Sequence, residues 1–113
     1  MNNKNKIFID KLRSSGLRPT NQRVDISRFL FNRKKTFHFT VEQLKNSMNL
    51  KRSKKISTAT FYNTVHALKS AGYLKELSLE NNTSYYDTNI SSHHHFFDNG
   101  KVIDIKSDKI TFQ

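Results

Sequence analysis

Apolar residues recur with a helical period as far as Gly72 and change to a strand-like pattern beyond it. Ile7, Phe8, Ile9 and Leu12 mark one side of a helix over Lys4–Ser15, with Gly16 at its end. Pro19 cannot continue a helix, whereas Thr20 is a ready N-cap. The spacing therefore predicts a second helix, Asn21–Asn32, burying Val24, Ile26, Phe29 and Leu30. Thr40 with Gln43 makes a capping box for a third helix ending near Asn49, with Val41, Leu44 and Met48 apolar. The fourth pattern, KISTATFYNTVHALKSAGYL over Lys55–Leu74, has Ser57 or Thr58 as N-cap and Phe61, Val65, Leu68 and Ala71 as a core stripe. Gly72 sits where a left-handed C-cap belongs. Leu74, Leu77 and Leu79 then form a strand, Glu80–Thr83 is turn material, and Ser84–Asp87 returns as a second strand. Three or four helices followed by a β-hairpin predict an α+β fold: a winged helix over residues 1–89, in which the hairpin is the wing.

Residues 90–113 have a different character. A histidine cluster, His93–His95, precedes Phe96-Phe97, a turn at Asp98–Gly100, a strand over Lys101–Ile105 and a further short apolar run at Ile110–Phe112. One or two strands of this kind need partners, because an isolated hairpin is only marginally stable. A partner chain that covers them, or a sequence that stops short of its domain, are the two expectations.

Charge sharpens the reading of the helices. The chain of 113 residues carries a net +11, and the excess is one-sided: residues 1–55 hold fifteen Lys/Arg against Asp10, Asp25 and Glu42, while residues 56–113 hold five Lys against six acidic side chains. A basic half of this kind attracts phosphate backbones. The fourth helix has the face for such a partner, since Thr60, Asn63, Thr64 and His66 lie opposite its core stripe, Tyr62 lies between the two, and no carboxylate occurs from Lys54 to Lys75. Arg18 and Arg23 flank the start of the second helix, where they can reach a DNA backbone or a minor groove. Lys55 ends the basic connection LKRSKK that leads into the fourth. A basic helix lying on a membrane surface is disfavoured because the apolar stripes are needed for a core. Neither a twenty-residue apolar run nor a signal-peptide pattern occurs, which leads us to expect a cytoplasmic protein without a membrane partner.

The absence of cysteine removes disulfides, thiolate zinc sites and cysteine nucleophiles. Neutral imidazole remains as a ligand for zinc and iron-class metals. On an extended strand His93 and His95 project to one face, where a carboxylate such as Glu80 or Asp104 can complete a nitrogen and oxygen shell. A small metal-dependent hydrolase built on His93, His95 and Asp104 is the enzymatic alternative. No HExxH, phosphate loop or nucleophile elbow supports it, so the expectation is a binding protein rather than an enzyme. A winged-helix module that binds nucleic acid without sensing anything is the other alternative.

Three stretches together resemble the ferric uptake regulator family, and most closely its iron response branch. LRPTNQR is similar to the family's approach to its second helix, ISTATFYNTVHALKSAGYL to its recognition helix, and YYDTNISSHHHFFDNGKVIDI to its passage from wing to metal site. The ATFYNT form, with Asn63, and the HHHFF run carry the likeness to the branch. The resemblance implies a DNA-binding transcriptional regulator of iron or haem homeostasis. It would dimerise through a C-terminal α/β domain, of which residues 90–113 supply a His-rich hinge and the first strands of a truncated version. It implies an AT-rich double-stranded operator, with Arg18, Arg23, Lys55, Ser57, Thr58, Thr60, Tyr62 and Asn63 at the DNA. It also implies a divalent metal, Fe2+, Mn2+ or Zn2+, on His38, Glu80, His95 and Asp104, and haem on His93, His94 and His95. The family's cysteine-based structural zinc site is not expected, because Phe96, Phe97, Asp98 and Asn99 stand where its sulfurs would be, and Ser92 occupies a histidine position of a second metal site.

Overall fold

A computed structural model describes residues 3–78 and 81–91 and, beyond them, the backbone pairing of 96–97 with 102–103. A 3-10 turn, Asn3–Asn5, leads into α1 (Lys6–Ser14), followed by α2 (Asn21–Phe31), β1 (His38–Phe39), α3 (Val41–Asn49), α4 (Thr58–Ser70), β2 (Lys75–Ser78) and β3 (Ser84–Asp87). The last two elements are β4 (Phe96–Phe97) and β5 (Val102–Ile103), an antiparallel pair; the turn expected at Asp98–Gly100 lies outside the described residues.

Helix ends lie where their capping chemistry places them. The Thr20 hydroxyl accepts from the Arg23 amide at 3.3 Å, and the Ser57 hydroxyl accepts from the Thr60 amide at 3.1 Å. Thr40 and Gln43 exchange bonds in both directions, 3.1 Å from the Gln43 amide to the Thr40 hydroxyl and 3.0 Å from the Thr40 amide to the Gln43 side chain. Each such cap stabilises its helix by about 1 kcal/mol. Gly72 ends α4 at φ +92°, a left-handed conformation that an L side chain adopts only with strain.

Leu12, Ile26, Leu30, Leu44, Phe61, Val65 and Leu68 are all fully buried and form one core among the four helices. Ser27 is buried with them, and its hydroxyl donates to the Phe8 carbonyl at 3.2 Å, fastening α2 to α1. Several sequence expectations need correction. Ile7 is 64% exposed, because α1 packs through Phe8, Ile9 and Leu12 only. Ala71 is exposed, since it caps α4 instead of extending its core stripe. Thr64, expected on the outer face, is fully buried and resolves its polarity locally, its hydroxyl donating to the Thr60 carbonyl at 2.7 Å. Leu77 is 43% exposed on the outer strand of the wing. Leu79 lies outside the described residues.

The wing is wider than a hairpin. β1 joins it to give an antiparallel sheet in the order β1-β3-β2, with His38 opposite Asp87, Phe39 opposite Tyr86, and Glu76 opposite Tyr86 from the other side. Phe39 is fully buried between the rings of Phe37, stacked at 5.4 Å, and Tyr86 at 5.8 Å. Just before β1, a reciprocal clasp fixes the register: the Thr88 amide donates to the Phe37 carbonyl at 3.0 Å, and the Phe37 amide donates to the Thr88 hydroxyl at 2.9 Å. Helices α3 and α4 with this sheet make the domain a winged helix.

Candidate nucleic-acid interface

The interface is built on the first two turns of α4. Ser57, at its N-cap, holds the Thr60 hydroxyl at 2.9 Å as well as the Thr60 amide, while the Thr58 hydroxyl accepts from Lys45 of α3 at 3.2 Å. Those three polar side chains are therefore already engaged, within the helix start and with α3. Tyr62 and Asn63 follow them into solvent, Tyr62 42% exposed. The Tyr62 ring meets His66, one turn later, edge-on at 5.7 Å, and His66 in turn leans on the buried Tyr86 at 6.3 Å.

Beside this helix start lies a concavity of about 800 Å3 lined by Arg18, Thr20, Arg23, Arg52, Lys54 and Thr60, among others, with no carboxylate in its wall. Arg23 reaches back to donate to the Arg18 carbonyl at 3.1 Å, which draws both arginines to the same side. Arg18 and Arg23 thus stand beside the N-terminal end of α4. Lys55 does not. Its ammonium donates to the carbonyls of Asn49 and Arg52, each at 2.6 Å, capping the end of α3 from within the connecting loop. The neighbouring Lys54 and Arg52 line the concavity instead. The run LKRSKK announces positive charge, but neither periodicity nor spacing distinguishes the lysine bonded to loop carbonyls from the one that lines the concavity.

On the other side of α4, a recess of about 380 Å3 opens towards the wing, with Glu42, Tyr62, His66, Glu76 and Tyr86 in its wall. A hydrogen bond from Ser84, with further contributions from Lys69 and His66, holds the Glu76 carboxyl below its ordinary value despite an opposing desolvation effect. Burial pushes the Tyr86 phenol up, assisted by the nearby Glu76 and Tyr62. The two sides of α4 therefore differ in sign, and only the Arg18–Lys54 side is free of acid.

Of the four side chains expected at a metal, His38 is exposed on the edge strand β1; Glu80, His95 and Asp104 lie outside the described residues, as do His93 and His94. Among the described residues no three His, Asp or Glu side chains come together to hold an ion. The donor set of two imidazoles and two carboxylates fits zinc, manganese or ferrous iron by its chemistry, and His38 is accessible to take part.

The described residues thus combine a winged helix, an exposed tyrosine and asparagine on α4, and a carboxylate-free basic hollow beside them. The chain belongs to the ferric uptake regulator family, whose sequence profile matches residues 14–113. It is 34% identical over 98 residues to the peroxide-responsive repressor PerR of Staphylococcus epidermidis, an alignment covering 85% of this chain and 63% of the relative. It is also 34% identical over 104 residues to the ferric uptake regulation protein of Synechococcus elongatus, covering 88% of this chain and 70% of that one. The chain thus spans somewhat under two thirds of the first relative's length. Its fold is that of the ferric uptake regulator of Pseudomonas aeruginosa solved with manganese, at a TM-score of 0.64 and 21% identity, covering 91% of this chain and 78% of that one. No helix among the described residues is long and apolar enough to cross a membrane.

Proposed function

We propose that this chain is a metal-responsive, DNA-binding transcriptional regulator that reads AT-rich duplex DNA with α4 and acts as a homodimer in the cytoplasm. The observation that carries the reading is the exposed pair Tyr62 and Asn63 beside the acid-free concavity of Arg18, Arg23 and Lys54. In a major groove the Asn63 amide can pair with an adenine edge, and the Tyr62 ring can contact a thymine methyl. Arg18, Arg23 and Lys54 neutralise phosphates alongside, and Ser57, Thr58 and Thr60 keep the helix start in one conformation.

His38, Glu80, His95 and Asp104 would hold the divalent ion, whose binding would favour one arrangement of the chain over another. The finer assignment, to iron or haem and to the iron response branch, rests on the ATFYNT form with Asn63 and on the HHHFF run. In that version His93–His95 take haem. The relatives named as a peroxide-responsive repressor and a ferric uptake regulation protein support metal response in general.

A filter-binding titration on AT-rich duplex at several salt concentrations tests the DNA reading. Neutralising about six phosphates gives a log–log slope near −5, and Asn63→Ala relaxes sequence preference without altering that slope. A slope near zero refutes it. Repeating the titration with Mn2+, Fe2+ or Zn2+, and separately with haem, identifies the signal. A sensor binds its ligand differently in its DNA-competent and incompetent states, so an affinity that none of these changes refutes the sensing half of the reading.

A further inference from the structure

We propose that Asp25 and Arg52 form a latch that positions the loop between α3 and α4, and through it the phosphate-facing Lys54, for DNA binding. The inference rests on the DNA-binding reading and deepens it by assigning a positioning role to a carboxylate, a group that would otherwise only repel DNA. Asp25 stands on α2 with its carboxylate divided between two arginines. Oδ2 accepts from Arg52 Nη1 at 2.8 Å, and Oδ1 accepts from Arg28 Nη2 at 2.5 Å. Arg52 belongs to the loop, and its Nε donates to the carbonyl of Lys54 at 2.9 Å. One guanidinium thus connects a helix of the core to the backbone of the lysine that lines the concavity.

The rest of the loop is closed by its own side chains. Asn49 presents its amide to Ile56 like a strand partner, Nδ2 donating to the Ile56 carbonyl and Oδ1 accepting from the Ile56 amide, both at 3.0 Å. Lys55 ties the Asn49 and Arg52 carbonyls together. Those contacts tie the loop to the end of α3, and the buried Ile56 seats its far end in the core, but none of them reaches α2. Asp25 joins the loop to α2, and among the described residues it is the only carboxylate that forms an ion pair with a residue of the Leu50–Ser57 loop. The Arg52 side chain is 26% exposed and that of Asp25 29%, so the pair is partly shielded and geometrically defined.

Electrostatics and positioning predict opposite signs for one substitution. Asp25→Asn removes a negative charge from a DNA-binding protein, so charge alone requires tighter binding. The latch requires weaker binding, by about fivefold, the equivalent of a partly exposed ion pair. A double-mutant cycle with Arg52→Gln separates the Arg52 contact from the Arg28 contact. With the latch already broken, Asp25→Asn should no longer weaken binding. Circular dichroism confirms that each variant is folded. Amide exchange supplies a readout independent of DNA: in Asp25→Asn the amides of residues 51–56 exchange faster while those of the Phe61–Leu68 core do not. Tighter or unchanged DNA binding by Asp25→Asn overturns the proposal, as does unaltered exchange in that loop. If the wild-type chain fails to bind DNA while the loop exchange still responds to Asp25→Asn, the functional reading falls and the latch stands as a structural link.

Discussion

Lys54 and Lys55 are neighbours in sequence with opposite assignments in the structure, and replacing each by alanine tests those assignments. Lys54 lines the basic concavity with Arg18 and Arg23. If it neutralises one phosphate, Lys54→Ala makes the log–log salt slope shallower by about 0.9, so its binding deficit shrinks about 3.5-fold between roughly 50 and 200 mM salt. Lys55 instead donates to the Asn49 carbonyl at the end of α3 and to the Arg52 carbonyl in the loop, 2.6 Å from each. Its removal leaves helix-end carbonyls without a cation, which costs about 0.5–1 kcal/mol of stability for an exposed group and lowers the urea midpoint by about half a molar. The salt slope of Lys55→Ala should match that of the wild type, any weaker binding being uniform across salt. Urea denaturation followed by circular dichroism, together with filter binding over the same salt range, reads both quantities. A shallower slope in Lys55→Ala together with an unchanged slope in Lys54→Ala would refute the orientation of the loop.

The aromatic layer under the wing and the carboxylate in its recess give two further expectations. Phe39→Ala deletes a fully buried ring held between Phe37 and Tyr86 and should cost about 3–5 kcal/mol in urea unfolding; a loss below about 1 kcal/mol would show that β1 is not part of the folded core. Glu76 has a folded-state pKa below its ordinary 4.5, so its contribution is complete above that value and is lost as pH falls through the lowered one. Glu76→Gln should therefore flatten the acid limb of the stability curve slightly while leaving neutral pH nearly unaffected, as read from urea midpoints between about pH 6 and pH 3.

What could be read from the sequence was whatever local chemistry decides. Thr20, Thr40 with Gln43, Ser57 and Gly72 each act within a few residues of themselves, and all of them cap the elements they were expected to cap. Strand β1 was not legible. Two residues long, it exists through its pairing with Tyr86 and Asp87, far along the chain, and no alternation announces a strand that short. Thr64 misled because its hydroxyl finds a partner in its own helix, which lets a polar residue sit in the core stripe at little cost. Asp25, which reads as an ordinary surface acid at a helical position, gains its role from a loop residue 27 positions later. Arg18 and Arg23 line the concavity beside α4, and Tyr62 and Asn63 are exposed on it; that Lys54 lines the concavity while the Lys55 ammonium binds loop carbonyls depends on how the loop turns.

The clasp between Phe37 and Thr88 bears on how a displacement travels through the domain. Thr88 begins the strand's exit towards the histidines, and Phe37 precedes His38, so the chain leaves the winged helix by way of the residue adjoining its own exposed imidazole. The clasp fastens the residue before Asn89 to Phe37, whose ring in turn stacks on Phe39. From Phe39 the contacts run through Tyr86 and His66 to Tyr62. An unbroken series of ring contacts thus runs from the exit of the domain to the exposed side of α4.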